Sequence, residues 1–183
     1  MTFRVEAFNP GNREDFFAFH SRVGGECFCT AWCVPSWEEW AETNAESNRQ
    51  LREELLKRGE YDGYLLYAND QVVGWCQVGQ RDRLAKILSQ FNLTIDPNTW
   101  AITCFQIDPE MHREGLAAHL LRKVLNHLQK KGVARVEVYP KMDTSLAGHQ
   151  QWTGPLKMYE KAGFSKLREN KSRAVYEIQL QSD

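Results

Sequence analysis

The sharpest change of hydrophobic pattern falls between residues 100 and 130. Trp100-Ala-Ile-Thr-Cys-Phe-Gln-Ile107 is apolar on both alternating faces, the pattern of a strand buried inside a sheet. Beyond it the period lengthens. Leu116, Leu120, Leu121, Val124 and Leu128 recur at helical spacing, while Arg122, Lys123, Asn126, Gln129 and Lys130 fall on the opposite side. Gly132 closes this helix.

The flanking sequence predicts further elements on the same grounds. Residues 3–7 alternate as an edge or half-buried strand, and Asn9-Pro10-Gly11 turns the chain into a short helix from Glu14 to about Val23. Ser36-Trp-Glu-Glu39 has the form of a capping box, followed to Arg58 by one interrupted helix or two short ones. Tyr61 to Tyr67 and Val72 to Val78 read as antiparallel neighbours joined at Asn69-Asp70, residues that tolerate positive φ. Arg81 to Phe91 reads as a helix and Asn92 to Asn98 as a loop.

After the long helix, Val136 and Val138 alternate with Arg135, Glu137 and Tyr139 in a half-polar strand that stops at Pro140. Following strand and helix, it is expected to lie parallel to the 100–107 strand. Lys141 to Thr153 lacks periodicity and reads as a flexible loop. Pro155 suits the first turn of a helix that Gly163 ends, and Phe164 to Arg168 with Ala174 to Leu180 forms a closing, half-exposed hairpin. This order implies a mixed α/β (α+β) fold: a mostly antiparallel sheet with one central parallel pair and flanking helices.

Composition narrows the class. At 183 residues, 1–183 is expected to be a single domain. Lys and Arg number 23 against 24 for Asp and Glu, so no global field recruits nucleic acid or an anionic membrane. With five cysteines, no signal peptide and no apolar run of membrane-spanning length, a reducing cytoplasm is the expected compartment; a monomer or homodimer is expected. Cys27, Cys29 and Cys33 lie in a compact segment whose spacing matches no common zinc pattern. Buried, unreactive thiols are the alternative to a metal site there.

Chemistry concentrates where the buried strand gives way to the long helix. A strand that turns through Gly115 into a helix leaves backbone N–H groups unpaired at the positive end of a helix dipole, which is an anion site, although ordinary β-to-α connections share this geometry. Gly115 allows close approach, and small Ala117 and Ala118 keep the first turn open.

Ile107, Pro109, Gly115 and Ala117 also match the signature V-x-P-x-x-(R/Q)-x-x-G-x-(G/A), and Met158-Tyr159-Glu160-Lys161-Ala162-Gly163-Phe164 matches the motif Y-E-K-x-G-F. Over residues 61 to 180 the chain thus resembles the GNAT superfamily of acyl-CoA N-acyltransferases. It departs from the pattern at His112, where Arg or Gln is usual, with Arg113 supplying a neighbouring fixed charge. The Asn common at the start of the final helix is replaced by Trp152-Thr153-Gly154-Pro155.

The resemblance implies an N-acetyltransferase that passes the acetyl group of acetyl-CoA directly to a primary amine on a small-molecule or peptide acceptor. Phe105 and Ile107 would bond the pantetheine arm through their backbone. The amides of His112, Arg113, Glu114, Gly115, Leu116, Ala117 and Ala118 would bind the pyrophosphate. Tyr159 would give a proton, or a hydrogen bond, to the departing sulfur; a packing tyrosine is the other reading of the same residue. Glu137, Asp108 and Tyr139 are candidates for the base, and Glu137 also reads as the partner of a neighbouring Arg. His149 is a weaker candidate. Trp32, Trp37 and Trp40 line the acceptor site or belong to the core. The rival class is a non-catalytic acyl-CoA-binding sensor or interaction module.

Overall fold

The computed structural model describes residues 2–112, 115–142, 151–169 and 173–180. Its strands are β1 (Phe3–Ala7), β2 (Tyr64–Ala68), β3 (Gln71–Gln80), β4 (Thr99–Ile107), β5 (Arg135–Val138), β6 (Ser165–Glu169) and β7 (Ala174–Gln179). Its helices are α1 (Arg13–Arg22), α2 (Trp37–Ala41), α3 (Ala45–Lys57), α4 (Ala85–Gln90), α5 (Leu116–Lys130) and α6 (Leu156–Lys161). The strands form one sheet in the order β1-β2-β3-β4-β5-β7-β6. β4 and β5 are parallel, and every other neighbouring pair is antiparallel. The architecture is therefore the mixed, mostly antiparallel α+β sheet expected from the order of elements.

Alternation along β2 shows why both faces of the sheet are covered. Tyr64, Leu66 and Ala68 pack in one cluster with Leu116, Leu120, Val124 and Leu128 of α5, whereas Leu65 and Tyr67 pack in another with Phe16, Phe17 and Phe19 of α1. Full burial of one such aliphatic side chain contributes about 1.5–3 kcal/mol, so the apolar stripe of α5 is enough to dock it on the sheet. Gly132, at φ +79°, provides the left-handed residue that ends this helix. At the β2–β3 hairpin Asn69 takes φ +53°.

Three elements differ from the sequence-based expectation. The half-polar strand is buried from Val136 to Val138, because Glu137 finds partners inside the protein. The helix expected over Arg81 to Phe91 is a turn of 3-10 helix followed by α4, broken at Leu84. There Arg81 is drawn inward to Glu137 and to the Thr94 carbonyl. β6 is exposed along its whole length, since it forms the sheet edge. Between Lys141 and Thr153, where a loop is expected, residues 143–150, His149 among them, lie outside the described residues, as do Arg113 and Glu114. Among the described residues no helix is long and apolar enough to cross a membrane.

Candidate active site

β4 and β5 pair only from Thr99↔Arg135 to Ile102↔Val138, after which Pro140 follows on one strand while the other continues to Ile107. Beyond Ile102 the β4 edge has lost its neighbour. Its remaining length stays paired with β3 on the other side, ending where the Asp108 N–H donates to the Val73 carbonyl. Backbone groups alternate along a strand, so those of Phe105 and Ile107 face the gap. The Phe105 N–H donates across it to the Trp152 carbonyl at 2.7 Å. The Ile107 carbonyl lies 3.0 Å from Nε2 of His112. A carbonyl can only accept, so Nε2 is the nitrogen that carries the proton in this contact.

Two concavities open from this edge. The first, about 430 Å³, runs from Phe105, Ile107 and His112 along the first turn of α5, through Gly115, Leu116, Ala117 and Ala118. Gly115 is the residue preceding α5, at φ +74°, with no side chain capping the helix. A Cβ built there would meet no atom within 4 Å, so the main chain faces open space. The first turn carries no acidic residue among those described, and Lys157 and Lys161 of α6 line the far wall. Unpaired amides, a helix dipole and two lysines suit a phosphate group.

The second concavity, about 440 Å³, is walled by Trp32, Trp40 and Trp152 and floored by cysteines. It shares Phe105, Ile107 and His112 with the first. Its shape depends on the tight turns between Gly25 and Cys33, where Phe28 and Cys29 adopt φ +40° and +53°. Buried Arg52 of α3 holds them by donating to the carbonyls of Phe28 and Cys29 at 3.0 and 2.9 Å, and to Oε1 of Gln77 at 3.1 Å. Gly25 is required here because a Cβ would stand 2.9 Å from the His20 ring and 3.1 Å from Oε1 of Gln106. Trp37 stays at the surface, with its ring 5.1 Å from that of Trp32.

Two grooves meeting on the freed edge of a parallel strand pair, one floored by a helix N-terminus, is the geometry expected of acyl-CoA transferases. The chain matches the sequence pattern of the Acetyltransferase (GNAT) family over residues 25–164. It belongs to that family. No curated protein matches it by sequence. Among solved structures it resembles the ribosomal-protein-S18-alanine N-acetyltransferase from Escherichia coli, with TM-score 0.59 and 13% identity over 98% of this chain and 95% of that one. It likewise resembles the PaiA N-acetyltransferase from Thermoplasma acidophilum in complex with coenzyme A, with TM-score 0.59 and 16% identity over 98% and 99%. At these identities the likeness is one of fold.

Within this acetyltransferase the expected site residues divide into two groups. Phe105, Ile107, His112, Gly115, Leu116, Ala117 and Ala118 line one continuous groove. Tyr159 and Glu137 line neither concavity. The Tyr159 hydroxyl, fully buried, donates to the Thr153 carbonyl at 2.6 Å, and a Cβ on Gly154 would lie 2.3 Å from it. Gly154 lines the α5 groove, so the phenol sits directly behind that wall. Burial pushes its pKa well above the ordinary value, which favours hydrogen-bond donation over ionisation.

Glu137, read from the sequence as a base or as the partner of an Arg, is paired with an arginine. Its Oε1 accepts from Arg81 at 3.1 Å and its Oε2 from the Tyr139 hydroxyl at 2.7 Å, all three residues being buried. A carboxylate held this way is structural. Asp108 is likewise engaged, by Arg22 of α1 and by the Glu110 amide. Burial works to raise its pKa, but these bonds outweigh that and hold it below the usual range. Sequence reasoning missed Arg52 and the backbone role of Trp152; the only signal for the latter was its place in a segment that departs from the family motif.

Proposed function

We propose that the protein is an N-acetyltransferase that moves the acetyl group of acetyl-CoA, its co-substrate, directly to a primary amine on a small-molecule or peptide acceptor. One observation carries this reading: the α5 groove and the tryptophan-walled pocket meet at Phe105, Ile107 and His112. The pyrophosphate is assigned to the amides of residues 112–118, Arg113 and Glu114 included, and the pantetheine arm to the β4 edge. That arm must take the Phe105 N–H from the Trp152 carbonyl. Tyr159 is assigned as a hydrogen-bond donor to the departing sulfur, once its hydroxyl leaves Thr153.

The acceptor enters through the tryptophan-walled pocket. Walls of Trp32, Trp40 and Trp152, with no carboxylate among the described lining, favour an amine carried on an aromatic or apolar body. Five free cysteines support a reducing compartment, the cytoplasm being the one proposed. The test is CoA release from acetyl-CoA in the presence of a broad amine panel, with the product identified by mass. Amine-dependent release is expected. Tight binding of acetyl-CoA with no turnover across the panel would instead identify a binding module.

A further inference from the structure

Arg52, Lys86 and Arg173 stand behind the walls of the tryptophan-walled pocket, only 1%, 2% and 6% exposed. Arg52 grips the turn that floors it through the carbonyls of Phe28 and Cys29. Lys86 of α4 donates to the Ala31 carbonyl and lies 3.9 Å from the centroid of the Trp37 ring. Arg173 stacks on Trp32 and Trp152, 5.3 and 5.0 Å from their centroids, and donates to the Tyr139 carbonyl at 3.0 Å. Cys29, Ala31, Trp32 and Trp152 all line the pocket, so each cation holds part of its wall.

A cation taken out of water is costly unless an anion compensates it. Among the described residues neither Arg52 nor Lys86 has a carboxylate within ion-pair distance. Their partners are neutral oxygens: backbone carbonyls and, for Arg52, Oε1 of Gln77 at 3.1 Å. Burial pulls the Lys86 pKa below the ordinary lysine value, and Glu38 and Glu39 oppose this only at longer range. The Arg52 charge reaches the pocket floor, where burial raises the pKa of Cys29 and Arg52 works against that rise. Positive charge thus faces the pocket from α3 and from α4, while no described lining residue is a carboxylate. Gln106 adds to the lining an amide with two N–H donors.

We infer that the acceptor is an aromatic amino carboxylate, its ring between the tryptophan walls and its carboxylate held by Gln106 in the field of Arg52 and Lys86. This assignment deepens the acetyltransferase reading above and rests on it. A carboxylate brings the counter-charge that these two cations lack among the described residues. One sign of charge behind low-dielectric aromatic walls focuses the field into the cleft and draws such an anion from solution. An amine on the same ring without the carboxylate fills the same walls and leaves the field uncompensated. A body carrying a second cation meets repulsion there.

The experiment compares pairs that differ by the carboxylate: L-tryptophan with tryptamine, and L-phenylalanine with 2-phenylethylamine. For the native chain kcat/KM is expected to be about tenfold or more higher for the amino acid of each pair, as one interaction with a charged group supplies, and the gain to lie in KM. L-Phenylalaninamide, which keeps the skeleton and loses the charge, is expected to behave as the amine. Isothermal titration into the CoA-loaded chain reads the same preference without turnover. In Lys86→Gln the ratio of L-tryptophan to tryptamine is expected to fall severalfold, and in Lys86→Arg, which keeps the charge, to stay near native. Equal kcat/KM within each pair, a preference for the amine, or a ratio unmoved in Lys86→Gln would overturn the assignment. Turnover with other amines but with none of these would overturn the acceptor assignment alone. No acetyl-CoA consumption with any amine of a broad panel, L-tryptophan still binding in preference to tryptamine, would overturn the transferase reading alone and leave the anion site standing.

Discussion

The Phe105 amide and the Trp152 carbonyl, 2.7 Å apart, close the gap that β5 leaves when it ends at Val138. One residue further on, the Thr153 carbonyl accepts from the Tyr159 hydroxyl. Two consecutive carbonyls thus satisfy the two donors that the family resemblance assigns to the pantetheine arm and to the sulfur. Buried donors need partners, and this segment supplies them from the protein itself.

The first expected outcome follows from that exchange. CoA is expected to shift the Phe105 amide resonance strongly in a 15N-labelled sample, because the arm replaces the Trp152 carbonyl. Adenosine 3′,5′-bisphosphate, which lacks the arm, is expected to perturb the first turn of α5 and leave Phe105 unmoved. Equal Phe105 shifts with both ligands would contradict the exchange.

The local pattern made some of this legible and left the rest hidden, for physical reasons. α5 and β4 were readable because Leu120, Val124 and Leu128, or Ile102 and Phe105, show their period within a short window. The groove along the first turn of α5 lies at the same strand–Gly–helix segment that the sequence singled out as an anion site. Burial of Glu137 was not readable, because its partner Arg81 stands 56 positions away. Arg52 reads as an ordinary polar position on α3, and only tertiary structure brings it under the Phe28 and Cys29 carbonyls. A backbone carbonyl such as that of Trp152 leaves no mark on residue type at all.

Gly115→Ala separates strain from site. At φ +74° the methyl group costs about 1–3 kcal/mol of stability. The added Cβ points into open space, so the fold is expected to survive. CoA affinity is expected to fall tenfold or more in isothermal titration. A folded variant with native affinity would remove this turn from the pyrophosphate site.

Arg81→Ala leaves the Glu137 carboxylate buried beside Tyr139 without its cation. Loss of about 3–5 kcal/mol in urea unfolding is expected. Glu137→Gln is expected to be milder, and its turnover per folded molecule to equal the native value. A large fall in turnover with intact stability would return Glu137 to the catalytic list.

His20 makes the fold sensitive to mild acid. Burial pulls its pKa from 6.5 to about 3, against the opposing bond to the Phe16 carbonyl and with a smaller push from Arg52. In the unfolded chain the imidazole takes its proton below about pH 6.5, whereas the folded ring waits until about pH 3. The unfolded state therefore holds more protons in that window. Stability is expected to drop as pH falls from 6.5 toward 3, by at most about 1.4 kcal/mol per unit from this group. His20→Gln is expected to give a flatter profile of unfolding free energy over that range. Parallel profiles for the two proteins would show that His20 is not the group responsible.

The central claim is that two grooves serve one reaction at their shared edge, and the most direct measurement is the position of the thioester carbon in a crystal structure with acetyl-CoA. The expected position is the mouth of the acceptor pocket beside Phe105, with the pyrophosphate at the first turn of α5, the acetyl group turned toward Trp32 and Trp152 and the Phe105 amide released from Trp152. Acetyl-CoA seated in the separate groove between α5, α6 and β7, or with its acetyl group turned away from that mouth, would contradict the account.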